Sequence, residues 1–119
     1  MFSDDKTTLG ELQAACLDMA KRKGWGDENG VQNPQHMTMA MTVEMSEVLE
    51  HFQWLNERDV RALMQGESPE ECAEIAEEMA DVMIYMLQIA NALKVDLAAN
   101  IGRKLAIVEK RKYNESTEK

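Results

Sequence analysis

A chain of 119 residues with 45% apolar content has room for one domain, and no stretch is long and apolar enough to cross a membrane. Its formal net charge of −9 argues against non-specific binding to nucleic acid or to an anionic lipid surface, both of which need a basic face that displaces counterions. Met1-Phe2-Ser3-Asp4-Asp5 shows no basic end followed by an apolar run, so no secretory signal is expected and a cytoplasmic setting is the default.

Thr8-Leu9-Gly10-Glu11 has the spacing of a capping box, and Leu9, Leu12, Cys16 and Met19 fall on one face, which predicts a first helix from about residue 8 to 23. Gly24 to Gly30 reads as a loop. Pro34 and Pro69 each follow a capping residue, Asn33 and Ser68, and so mark helix starts. A second helix is expected from Pro34 to about Leu55, with Met37, Met41, Met45, Val48, Phe52 and Leu55 along one face. Residues 57 to 65 suggest a short helical turn. A long helix should follow from Ser68 to about Leu93, with Cys72, Ile75, Met79, Val82, Met83, Met86, Ala90 and Leu93 as its buried stripe. Asp96 can cap a last helix through about Lys112, and Asn114 to Lys119 is a polar tail, leaving about 8–113 ordered.

No strand signal occurs. The expected fold is therefore all-α, a single-domain antiparallel bundle of four to five helices, assembled as a homodimer or homotetramer because helices this short leave apolar faces uncovered. Cys16 and Cys72, far apart and without metal-ligand spacing, read as reduced packing residues, and the ten methionines as flexible core fillers.

Several carboxylates fall where apolar residues are expected. At about 100° per residue, Glu44 lies inside the apolar arc of the second helix and Glu47 one step toward its edge, whereas Glu50 falls outside as a solvated charge. On the long helix Glu71, Glu74, Glu78, Asp81 and Tyr85 form one seam beside the apolar stripe. Like charges repel along such a seam, by roughly 0.2–0.5 kcal/mol per exposed pair, so a positive partner is expected. Two helices, each offering acids three residues apart, make an oxygen-rich setting that suits a hard cation such as Mg²⁺ or Mn²⁺. Glu70, Glu71, Glu74 and Glu77 read instead as a solvated face that complements the helix dipole.

Glu44-Met45-Ser46-Glu47 and Glu78-Met79-Ala80-Asp81, with Phe52-Gln53-Trp54, Tyr85 and Val95-Asp96-Leu97, resemble the all-α nucleoside triphosphate pyrophosphohydrolases of the MazG kind, and among them the dCTP pyrophosphatase branch. The resemblance runs from about Leu9 to Tyr113. It implies Mg²⁺ held by Glu44, Glu47, Glu78 and Asp81, with one of these acids or Glu77 taking a proton from the attacking water. It also implies Lys104 and Arg111 against phosphate, Trp25 and Trp54 as aromatic walls for the base, and Tyr85 near the sugar or base. Cys16 stands where that branch has a base-contacting histidine, and Val108 or Glu109 where it has an asparagine; both departures bear on base selectivity. The implied reaction converts a nucleoside triphosphate, dCTP or a modified dCTP, to the monophosphate and pyrophosphate. One alternative keeps the fold and acts on dUTP or other non-standard nucleotides. Another is a non-catalytic helical oligomer or a di-iron carboxylate bundle, although neither His36 nor His51 has a glutamate three residues before it, as the usual ligand pair requires.

Overall fold

The computed structural model describes residues 1–111 and arranges them as five α-helices, with no strand among the described residues. These are α1 (Leu9–Lys23), α2 (Pro34–Phe52), α3 (Glu57–Met64), α4 (Pro69–Leu93) and α5 (Leu97–Glu109). The expected end of the last helix at Lys112 and the polar tail from Asn114 lie outside the described residues.

Local chemistry sets most boundaries. The Thr8 hydroxyl accepts from the Glu11 N–H at 3.0 Å, and the Glu11 carboxylate accepts from the Thr8 N–H at 2.8 Å, which closes the expected box at the start of α1. Gly24, at φ 75°, ends that helix in the left-handed region. The loop beyond it is organised by Asp27, whose carboxylate accepts from the N–H groups of Asn29 and Val31 at 2.8 and 2.9 Å. Gly30 presses this loop onto α1: a Cβ there would stand 2.7 Å from Lys21 N and 2.8 Å from Leu17 O, so no other residue fits without moving backbone.

α2 starts at Pro34 under the Asn33 side chain, as expected, but stops at Phe52 rather than near Leu55. The cause lies just downstream. Asn56 accepts from the Asp59 N–H at 2.9 Å and Asp59 reaches back to the Asn56 N–H at 3.3 Å, a second capping box that opens α3 as a helix of eight residues. Ser68 sits at the cap of α4 but its side chain makes no capping bond, so Pro69 and the acids after it carry that start. Lys94 at φ 56° closes α4, and Asp96 caps α5 through the Ala99 N–H. α5 ends at Glu109, leaving Arg111 beyond it.

α2 lies antiparallel against α4, α1 packs on α4, and α5 turns away from α4 at 102° with α1 as its main neighbour. The α1 attachment is polar as well: Gln13 donates to the Val95 carbonyl at 3.2 Å, and Asn91 donates to the Gln13 carbonyl at 2.9 Å. The buried apolar set is small: Cys16, Ala20, Val48, Ile75, Leu87 and Ala90.

The expected stripes are only partly covered. Cys72, Met79, Met83 and Leu93 of α4, and Met45 and Phe52 of α2, are exposed. The pattern marks every surface that avoids water, whereas one chain supplies each helix with too few neighbours to cover all of it. Both cysteines are free, Cys16 buried and Cys72 exposed. No single helix among the described residues is long and apolar enough to cross a membrane.

Candidate active site

The antiparallel register of α2 and α4 decides which acids meet. Glu44 and Glu47 of α2 and Glu78 of α4 each bring a carboxylate oxygen within 4.8 Å of the others. All three are half-buried. The Glu44 carboxyl is held above its ordinary value, chiefly by desolvation, then by the charge and hydrogen bonding of Glu47 and the charge of Asp81. The Glu78 carboxyl is likewise raised, first by its hydrogen bond with Glu47, then by desolvation and by the charges of Glu47 and Glu44, with His51 opposing. Each acid is thus under pressure to keep a proton. No Lys or Arg among the described residues bridges the cluster; the Arg22–Asp18 pair at 2.9 Å lies on the exposed side of α1. An all-oxygen donor set that lacks a cation of its own fits a hard divalent ion.

Asp81, one helical turn beyond Glu78, is exposed and stands outside that triad, yet it lines a cavity together with Glu44. This cavity, about 470 Å³, runs from the acids to Trp25 and Tyr85, with Met19, Met37 and Ile84 as apolar walls and Gln32 and Gln88 as its remaining polar groups. Trp25 sits half-open over it, with the Lys23 ammonium 5.7 Å from the ring centroid.

Other nominated residues fall elsewhere. Cys16 lies in a neighbouring apolar cavity of about 530 Å³, which shares Met19 and Ile84 with the first, and burial pushes its thiol up. Trp54 follows the end of α2 and is 84% exposed. Glu77 points to solvent, and Lys104 and Arg111 are exposed on and after α5. None of these four lines the cavity in its own chain.

One pair escaped the sequence reading. His51 Nδ1 and Glu71 Oε2 are 2.6 Å apart, and Glu74 completes a second His–Glu group beside the first cluster. The imidazole is raised above its ordinary value by its hydrogen bond to Glu71 and by the charges of Glu71, Glu78 and Glu74, against an opposing desolvation. Glu71 is therefore not the purely solvated acid expected. The signal was present but needed a register: with Glu44 facing Glu78 across antiparallel helices, moving seven residues along α2 (51 − 44) and seven back along α4 (78 − 71) brings His51 to Glu71.

Comparison with known proteins places the chain among related sequences. The chain is 31% identical over 104 residues to dCTP pyrophosphatase 1 of Homo sapiens, covering 87% of this chain and 58% of that protein. It is 30% identical over 96 residues to dCTP pyrophosphatase 1 of Bos taurus, covering 81% and 53%. The chain thus spans a little over half the length of these relatives. Residues 39–119 match the MazG-like family, a stretch that holds every carboxylate of the cluster, and to that family the chain belongs.

Proposed function

We propose that the protein is a Mg²⁺-dependent nucleoside triphosphate pyrophosphohydrolase that converts dCTP, or a modified dCTP, to the monophosphate and pyrophosphate. The observation that carries the proposal is the convergence of Glu44, Glu47 and Glu78 at the acidic end of a cavity whose walls include Trp25 and Tyr85. Similarity to proteins named for dCTP pyrophosphatase activity supports the same substrate class.

In this reading Glu44, Glu47, Glu78 and Asp81 hold Mg²⁺, with Mn²⁺ as a substitute. When bound, the ion supplies positive charge to the triphosphate and lowers the pKa of water at neutral pH. The chain's part is to bind, orient and move one proton. The oxygen of a water bonds to the α or β phosphorus, the anhydride bond between them breaks, and the water's proton passes to a carboxylate of the cluster, the exposed Glu77 lying away from it. Trp25 offers a face on which a base stacks, and Tyr85, which lines the same cavity, would stand near the sugar or base.

The same proposal includes assembly as a homodimer or homotetramer. Trp54, Lys104 and Arg111 do not line the cavity of their own chain, and a second copy is the route by which an aromatic wall and cations would reach it. A second substrate reading, dUTP or another non-standard nucleotide, is favoured by Cys16: a buried thiol behind Met19 and Ile84 offers the cavity no base-contacting donor.

The test is a pyrophosphate-release screen with Mg²⁺ over dCTP, dUTP, dTTP and modified triphosphates, run beside Glu78→Gln. Release from a pyrimidine triphosphate that the variant abolishes is the expected result. Equal release by both proteins would overturn the site assignment.

A further inference from the structure

Gln88 is a buried polar side chain on α4, 6% exposed, and an amide in that position costs stability unless its groups are matched. Its Oε1 accepts from Gln32 Nε2 at 2.7 Å, across 56 residues of sequence, which ties the loop before α2 to the C-terminal part of α4. One amide–amide bond leaves half of each group over. Gln88 Nε2 and Gln32 Oε1 have no other partner among the described residues, and neither is a buried orphan. Both residues line the cavity that holds Trp25, Tyr85, Glu44 and Asp81, and because neither spare atom is a buried orphan, each keeps access to a ligand.

Their place along the cavity matters as much as their chemistry. Glu78, Asp81, Tyr85 and Gln88 follow one another by three, four and three residues, so a single seam of α4 grades from carboxylate through phenol to amide. Gln88 lies seven residues (88 − 81) past Asp81, about 10 Å along the helix axis. A nucleotide with its phosphates at the acids and its ring on the aromatic residues would carry its base edge to the amides.

We infer that Gln32 and Gln88 together read the hydrogen-bonding edge of a pyrimidine base, and that the pair admits both 4-amino and 4-oxo pyrimidines. Each amide presents a donor or an acceptor according to its rotation, and turning both amides over preserves the bond between them while exchanging what they show to the ligand. A carboxylate at either position would show acceptors alone, and an arginine or lysine donors alone. The inference rests on the substrate class proposed above, so its test reads binding separately from hydrolysis.

Affinity for dCMP and dUMP is measured by calorimetry with Mg²⁺ for wild type, Gln88→Met, Gln32→Met and Gln88→Glu, each checked for folding by circular dichroism. Pyrophosphate release from dCTP and dUTP is measured on the same proteins. Wild type should bind the two monophosphates within about tenfold of one another, and each methionine variant should weaken both by about tenfold or more. In hydrolysis the methionine variants should raise KM and leave kcat within about threefold, since the amides lie away from the reacting phosphates. Gln88→Glu should tilt the ratio about tenfold or more toward the 4-amino base. The Gln32→Met variant alters a loop residue, so a misfolded Gln88 variant still leaves the test standing. Unchanged affinities in a folded methionine variant, a wild-type preference above about tenfold, or an unchanged ratio in a folded Gln88→Glu overturns the inference. Absence of pyrophosphate release with dCMP binding intact overturns the hydrolase reading and leaves the amide pair in place.

Discussion

Glu78 is hydrogen-bonded to Glu47 and feels the opposing charge of His51, so the same carboxyl is asked both to keep and to lose its proton. Replacing it with glutamine removes a charge that the metal-free protein tolerates poorly and that the ion requires. Glu78→Gln should therefore raise the melting temperature measured in a chelator while lowering kcat/KM by more than the roughly 10- to 100-fold expected for loss of an outer-shell metal partner. Gain and loss in opposite directions separate this role from simple structural damage. The pH dependence has a matching sign. The His51 pKa is raised above 6.5, so its contribution to stability is complete below that value and fades as pH rises through the folded value. Glu44 and Glu78 are raised above 4.5, so their ionised forms penalise the fold, and the penalty is relieved as pH falls through the raised values. The His51 effect makes the metal-free protein melt higher at about pH 5.5 than at about pH 8.5, and the carboxyl effect adds to it with the same sign as pH falls toward about 4.5. Mg²⁺ should narrow that gap, since it favours the ionised carboxylates. Thermal melts from about pH 4.5 to 8.5, with chelator and with Mg²⁺, check it, and a flat chelator profile over the whole range would deny the crowding.

The helix starts divide into those held by a side chain and those held by backbone and charge. Asn56 and Asp59 satisfy each other's N–H groups at the head of α3, so Asn56→Ala should cost about 1 kcal/mol. Ser68 makes no such bond, and Ser68→Ala should cost a few tenths of a kcal/mol at most. Paired denaturant melts read the difference; equal losses would mean that the Asn56 cap contributes nothing in solution. These two positions also show how far the sequence was legible. Thr8 with Glu11, Asn33 before Pro34, and Asp96 announced their helices because a cap and its partner lie within four residues of chain. The Asn56–Asp59 box has the same locality, but the apolar run through Leu55 masked it and carried α2 three residues too far. The acids of Glu44-Met45-Ser46-Glu47 and Glu78-Met79-Ala80-Asp81 stood out because each breaks the apolar period of its own helix. The His51–Glu71 and Gln32–Gln88 pairs did not, because each joins residues that are ordinary on their own helix or loop and become partners only once the register between segments is fixed.

Taken whole, one copy leaves apolar side chains uncovered along two helices. Among the described residues every residue of α5 except Leu97 is exposed, including Ile101, Leu105 and Val108, and α2 adds Met39, Val43 and Leu49. A helix of 13 residues with α1 as its main neighbour is near the length at which isolated helices become marginal in water. Covering α5 with a second copy would resolve both facts. If the proposed assembly forms through that face, Leu105→Glu, which places a charge in its middle, should give monomers by light scattering and reduce pyrophosphate release with them. Sharing of sites has a sharper signature. If Lys104 serves the cavity of its partner, Glu78→Gln and Lys104→Ala are each impaired alone. A mixed dimer of the two then contains one site with both lesions and one with neither. Random reassortment of equal amounts makes about half the dimers mixed, so about a quarter of wild-type activity should return on mixing and refolding. If Lys104 instead acts within its own chain, every site keeps one lesion and mixing restores nothing.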